Sequence, residues 1–222
     1  MKFVYPEINR VFDTEGDKVP TLIIENQPLL FRLLGDIRSQ IEGEDGKSVV
    51  SDNGKVLQTS KSAELITELI GFTLNRRQLI NKASSVLEKT VMSGELFGEA
   101  TELLYELNAF LSKAAFELDG DICFQGISFS SLIKSSGMEF REDYDSLPEK
   151  MIDYFELVEK YDRKKLFIIY DLRSFVSDKN VELFLETVVQ HGYNVFMIES
   201  SERERLPSER RYIVDSSLCE IC

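Results

Sequence analysis

The chain has 222 residues and a mass of 25.5 kDa; it is 43% hydrophobic and 29% charged, with 15 Phe, 8 Tyr and no Trp. That apolar content supports a sizeable core, which excludes wholesale disorder. Against 26 Lys and Arg stand 39 Asp and Glu, a net charge of −13. A surface cationic all round, the usual footprint of duplex binding, is therefore excluded, though net charge averages over a surface and binding does not.

From Met1 to about Ser60 the pattern is mixed. The pieces KFVY, RVF and TLIIE read as short strands separated by Pro6, Gly16 and Pro20. A helix is expected from Pro28 to about Ile41, with Leu29, Leu30, Leu33, Leu34 and Ile37 on one face. Turn signals at Asp45-Gly46 and Asp52-Asn53-Gly54 bracket KSVVS and precede KVLQT, which predicts a hairpin.

From about Lys61 to Leu118 the chain reads as helical throughout. The cleanest 3.6-residue stripe is Ala100, Leu103, Leu104, Leu107, Phe110, Leu111, Ala114 and Leu118. Alternation then returns. SFSSLIKSSG is a short helix closed by Gly137, and Ser146 with Glu149 opens a longer one. KKLFIIYD, the run Val181 to His191 and NVFMIES form a strand–helix–strand unit, which implies a parallel sheet covered on both faces, and RYIVD adds a strand. The expected architecture is α/β. It has a head of residues 1–60 and 119–222 built on a mostly parallel sheet, and an inserted helical leg of residues 61–118.

The N-terminal MKFVYPEINRVF shows no secretion leader, and no window approaches the ~20 apolar residues of a membrane span. With only Cys123, Cys219 and Cys222, a reducing cytoplasm is expected. Cys219-x-x-Cys222 lacks the helix start of a redox motif, and a zinc site would need two more ligands where His191 is the sole histidine, so it reads as a tail. His191 before Gly192 reads as a helix end.

A phosphate-wrapping loop needs G-x-x-x-x-G-K-[ST] after a strand. The nearest piece, Gly46-Lys47-Ser48, follows a helix, and Ile41 stands where the first Gly belongs. LFIIYD, ending in Asp171, resembles the metal-binding strand of such proteins but has no phosphate loop to serve. No dinucleotide fingerprint or nucleophile elbow is present, so no catalytic residues are expected. Glu117, Asp119 and Asp121 around Gly120, with Glu139, Glu142, Asp143 and Asp145 further on, offer the oxygen chemistry of a hard cation or simply a solvated acidic linker. The basic residues form no dense patch. Arg76-Arg77, Lys82, Lys134 and Arg163-Lys164-Lys165 read as solvated faces that a symmetric oligomer could converge on an axis.

The succession SAELITELIGFTLNRRQL, ELDGD, ISFSSLIKSSGMEF, KKLFIIYDLRSFVSDKNVELF and VFMIES resembles the Csn family, the accessory proteins of spacer acquisition in subtype II-A CRISPR systems. The resemblance covers nearly the whole chain to about Ser200. It implies a head similar to a P-loop nucleotide-binding domain without a working phosphate loop. It also implies a homotetrameric ring, stabilised by calcium, that binds double-stranded DNA ends through a basic hole. The implied partners are the CRISPR adaptation nuclease complex and the effector nuclease. Carried onto this sequence, the calcium ligands would be Glu117, Asp119, Asp121, Glu139 and Glu142, and the DNA contacts Lys55, Lys61, Lys134 and Lys150. The alternatives are a degenerate nucleotide-binding, ATPase-like or kinase-like protein and a protein–protein adaptor.

Overall fold

A computed structural model describes residues 1–221. Its elements run β1 (Lys2–Tyr5), β2 (Ile8–Asp13), β3 (Val19–Ile24), α1 (Gln27–Glu42), β4 (Val49–Asp52), β5 (Lys55–Leu57), α2 (Thr59–Ser62), β6 (Ala63–Ile66), α3 (Arg77–Ser93), α4 (Phe97–Ala115), α5 (Phe129–Ser135), α6 (Leu147–Tyr161), β7 (Leu166–Tyr170), α7 (Asp178–His191), β8 (Asn194–Glu199), β9 (Glu209–Val214) and β10 (Glu220–Ile221). A 3₁₀ turn at Leu172–Ser174 follows β7. The chain divides into two compact units. One holds Met1–Thr73 and the chain from Asp143 on; the other is Leu74–Glu142.

The first unit is built on two sheets. The larger has the order β10-β9-β3-β8-β7-β6, with β9, β3, β8, β7 and β6 parallel and only β10 reversed. The expected mixed α/β architecture with a mostly parallel sheet is present. Strand β3 sits in the middle, with β8 on one side and β9 on the other. Connections therefore reverse direction between β3 and β8, the kind of point where open α/β sheets bind ligands at their carboxyl ends. The smaller sheet, β2-β1-β4-β5, is antiparallel throughout. Its β4–β5 hairpin turns at Asn53 and Gly54, both at positive φ (47° and 76°), as a two-residue Asn-Gly loop requires.

Alternation along the central strands divides the core in two. Leu166 and Ile168 on β7, Phe196 and Ile198 on β8, and Leu22 and Ile24 on β3 join Leu29, Leu33 and Ile37 of α1 and Phe3, Tyr5 and Phe12 of the small sheet in one cluster. On the opposite face Phe167 stacks on Phe155 of α6 at 4.0 Å between ring centres, and Phe184 of α7 lies 6.2 Å from Phe155.

One expectation is corrected by the sheet. Ala63–Ile66 is not helical: it forms β6, the parallel edge strand, in register with Leu166–Ile169 of β7. Leu65, Ile66, Leu69 and Ile70 fit a helical stripe, but sheet pairing decides such a short apolar run. By contacts the compact units divide at 73/74 and 142/143, beside the expected leg of 61–118. The segment after α4 packs within the helical unit because its backbone is moored there. Asn108 Oδ1 accepts from Ile127 N at 2.7 Å, and Asn75 Oδ1 accepts from Phe140 N at 2.7 Å.

In the helical unit, α3 packs on α4 and α5. Helix α4 has the most regular apolar stripe of the sequence, yet of its 19 residues only Ala100 is buried. Leu103, Tyr105 and Phe110 are exposed, the last two at 75% and 68%.

Candidate functional site

At the carboxyl end of β3 a phosphate loop would have to wrap an anion with successive backbone N–H groups. Only Glu25 and Asn26 separate β3 from α1. Asn26 Oδ1 accepts from Leu29 N at 3.0 Å, and Pro28 removes a further N–H from the first turn. The helix start is thus closed by its own cap, and the two-residue link has no span for a phosphate. Gly46-Lys47-Ser48 lies between α1 and β4. There Gln40 donates from Nε2 to Ser48 O at 3.0 Å and accepts from Ser48 N at 3.1 Å. It is turn chemistry, as its sequence indicates.

The carboxyl ends of β7 and β8 hold a corner that sequence patterning did not single out. Asp171 adopts a left-handed conformation, φ 58°, and its Oδ1 accepts from Ser200 Oγ at 2.9 Å. Glu199 is 2% exposed and its Oε1 accepts from Arg173 N at 3.3 Å. Burial raises the Glu199 carboxyl to about 7; Asp171 adds to the rise, while the Arg173 N–H and the Arg173 and Arg203 charges oppose it. Arg173, itself buried, donates from Nη2 to Glu204 O at 2.7 Å and from Nε to Asp178 Oδ1 at 3.0 Å. Its Nη1 lies 3.6 Å from Glu209. These contacts strap the β8–β9 connection to the sheet. The only sequence signals were the strand-end Asp171 and the acid closing NVFMIE.

The expected DNA-contacting lysines are distributed over both units. Lys55 on β5 and Lys61 in the last turn of α2 lie on consecutive elements of the first unit, both exposed. Lys150, half-buried on α6, is in the same unit. Lys134, exposed in the last turn of α5, belongs to the other. Several other cations are committed internally. Arg32 and Lys47 both reach Glu7, at 2.8 and 3.2 Å, and Arg38 pairs with Glu42 at 3.0 Å. Lys165, read as part of a solvated basic run, is buried with its Nζ 3.2 Å from Asp162 and 3.8 Å from Glu64.

The five expected calcium ligands all fall in the helical unit. Glu117, Asp119 and Asp121 are exposed in the segment after α4, around Gly120 at φ 127°. Glu139 is exposed beyond α5. Glu142 Oε1 already accepts from Leu74 N at 2.7 Å, Asn75 N at 3.3 Å and Asn75 Nδ2 at 3.1 Å. Among the described residues, no three His, Cys, Asp or Glu side chains converge as a group able to hold a metal. The donor chemistry of Glu117, Asp119 and Asp121 suits a hard cation. Of the cysteines, Cys123 and Cys219 are exposed, and Cys222 lies outside the described residues. His191 ends α7 as expected, with Gly192 at φ 70° as the left-handed cap.

With this geometry in place, the comparison with protein families is decisive: the model of the CRISPR-associated protein family Cas_Csn2 matches residues 40–218. The chain belongs to that family. The match spans β4 to the end of β9, so both units of this Csn2-family chain fall largely within it. A CRISPR-associated role follows. No curated protein matches the chain. Among the described residues, no helix is long and apolar enough to cross a membrane.

Proposed function

We propose that this Csn2-family chain forms a calcium-stabilised homotetrameric ring that holds double-stranded DNA ends without base preference and supports spacer acquisition, with no catalysis of its own. The observation that carries the reading is α4. A 19-residue amphipathic helix with only Ala100 buried leaves an apolar stripe that a monomer has no reason to keep. Self-association through Leu103, Leu107 and Phe110 covers it. In a symmetric assembly each of Lys55, Lys61, Lys134 and Lys150 recurs about the axis once per copy, so a few cations per chain can make a basic lining. Their contacts with phosphate carry no sequence information.

Bound calcium would bridge carboxylates that otherwise repel. Glu117, Asp119 and Asp121 are the residues suited to it, with Glu139 and an oxygen donor from a neighbouring copy completing the shell. The partners are the adaptation nuclease complex and the effector nuclease, in the cytoplasm. The nucleotide-binding alternative is disfavoured by the Asn26 cap and Pro28, which occupy the place of a phosphate loop.

The test is an end-dependent binding assay. Linear duplex incubated with protein and Ca²⁺ is expected to be shifted at low salt, and closed circular duplex to be released by a salt challenge that linear duplex, its ends blocked after loading, survives. Equal retention of both topologies overturns the ring reading.

A further inference from the structure

Helices α6 and α7 lie side by side on one face of the larger sheet, anchored beneath by Phe155 on Phe167 and by Phe184. Their outward edges do not close. A cavity of about 440 Å³ opens between their first halves, lined by Pro148, Ile152, Leu183 and Phe184, with Asn180 and Thr187 beside them. Leu183 is 53% exposed, an apolar side chain on offer at the mouth. The size is that of a pocket for one or two bulky side chains.

The charges lining this groove have one sign. Glu149 and Asp153 line it. Lys150 and Lys179 stand next in sequence to lining residues but do not line it. Asp153 is fixed by the Tyr144 hydroxyl, which donates to its Oδ2 at 2.8 Å. Glu156 continues the acidic edge along α6, one turn beyond Asp153.

We infer that this groove is a docking site for a segment of a partner protein in which a bulky apolar anchor is flanked by Lys or Arg. The apolar floor takes the anchor, and the carboxylate rim selects cationic flanks and repels the phosphates of nucleic acid. None of the lining residues is a proposed ligand of DNA or calcium, so the inference stands or falls separately from the ring.

The probe is a fluorescein-labelled amphipathic peptide of about 15 residues, long enough to sustain a helix, with Leu at helical spacing and Lys elsewhere. It is titrated into the full chain and followed by anisotropy at physiological salt. Leu183→Glu makes the protein more acidic, so nonspecific attraction predicts tighter binding, whereas loss of an anchor site predicts binding weaker by about tenfold or more. Leu183→Gln removes the anchor without a charge and should weaken binding in the same direction. Glu149→Lys with Glu156→Lys should also cost about tenfold, while the same change at Glu102 and Glu106 on α4 should stay within about twofold. Circular dichroism of each variant confirms folding. The inference is overturned if wild type does not bind the peptide, or if all variants bind it equally. It is also overturned if Leu183→Gln weakens binding of labelled duplex DNA, measured without peptide, as much as it weakens the peptide, or if Leu183→Glu alters the sedimentation profile, which would make a second copy the occupant.

Discussion

Arg173 and Glu199 meet in a buried corner: the Arg173 N–H donates to Glu199 Oε1 at 3.3 Å, with the Arg173 guanidinium turned away to Asp178 and Glu204. The backbone of the arginine thus serves one carboxylate and its charge serves another. Glu199 is left buried with its main charge partner already shared, which is why its carboxyl is held at about 7.

That relationship predicts a pH dependence. The folded chain holds the Glu199 proton more tightly than the unfolded chain does, so stability is fully present below the ordinary carboxylate range. It falls as pH rises through the window up to about 7, and is level above it. The span corresponds to roughly 3 kcal/mol. Glu199→Gln should remove this slope and raise stability above pH 7. Urea midpoints at pH 5, 6, 7 and 8 check it, and parallel wild-type and variant curves would refute it.

The buried Lys165 predicts a loss of stability. Its ammonium lies between Asp162 and Glu64, and Glu64 also accepts from the Tyr154 hydroxyl at 2.6 Å. Lys165→Met leaves two carboxylates of low exposure without their shared cation, at a cost of about 3 kcal/mol. A Tm lowered by roughly 6–12 °C follows for a chain of this size. Adding Glu64→Gln should recover part of the loss, and a Tm unchanged in the single variant would contradict the reading.

The same residue shows where sequence patterning stops. Lys165 and Lys164 are adjacent and chemically alike, and only sheet pairing of β6 with β7 buries the first beside Glu64. Strands β7 and β8 and helices α1 and α7 were legible because a solid apolar run or a 3.6-residue stripe is a local signal. Strand β6 was not, since four residues cannot distinguish the two periods and its partner is a hundred residues away. Pairing of β1 with β4 across α1 is likewise nonlocal. The missing phosphate loop could be read directly, but its replacement by the Asn26 cap required the length of the β3–α1 link. The acidic run at Glu117–Asp121 was legible as chemistry and not as geometry, because ligand convergence depends on tertiary packing.

Helix α4 predicts an assembly defect. Phe110 is 68% exposed, so Phe110→Glu should change the stability of an isolated copy by no more than about 0.5 kcal/mol. If α4 is the contact between copies, burying two or more carboxylates there is prohibitive, and the variant should lose the tetramer. Light scattering at matched concentrations reads the mass. A tetramer that survives Phe110→Glu and Leu103→Glu together would place the contact elsewhere.

The mooring of the helical unit separates two roles for its acids. Asn75 Nδ2 donates to Phe140 O at 3.0 Å, Asn75 Oδ1 accepts from Phe140 N at 2.7 Å, and Glu142 Oε1 accepts from Leu74 N at 2.7 Å. Residues at the start and end of this unit are therefore tied to each other by side-chain to backbone hydrogen bonds. Asn75→Ala leaves the Phe140 N–H and C=O in part-buried surroundings with those bonds lost, a cost of about 1–3 kcal/mol. Proteolysis within 74–142 should quicken accordingly. Glu142→Gln keeps an acceptor oxygen at Oε1 and so preserves the mooring, whereas Asp121→Asn removes the charge of an exposed carboxylate in the segment after α4. The expected outcome is that Asp121→Asn abolishes the calcium-dependent rise in Tm and in tetramer fraction, while Glu142→Gln retains most of both. Differential scanning calorimetry and sedimentation with Ca²⁺ or chelator measure it. The reverse pattern would make Glu142 a calcium ligand that gives up its amides when the ion binds.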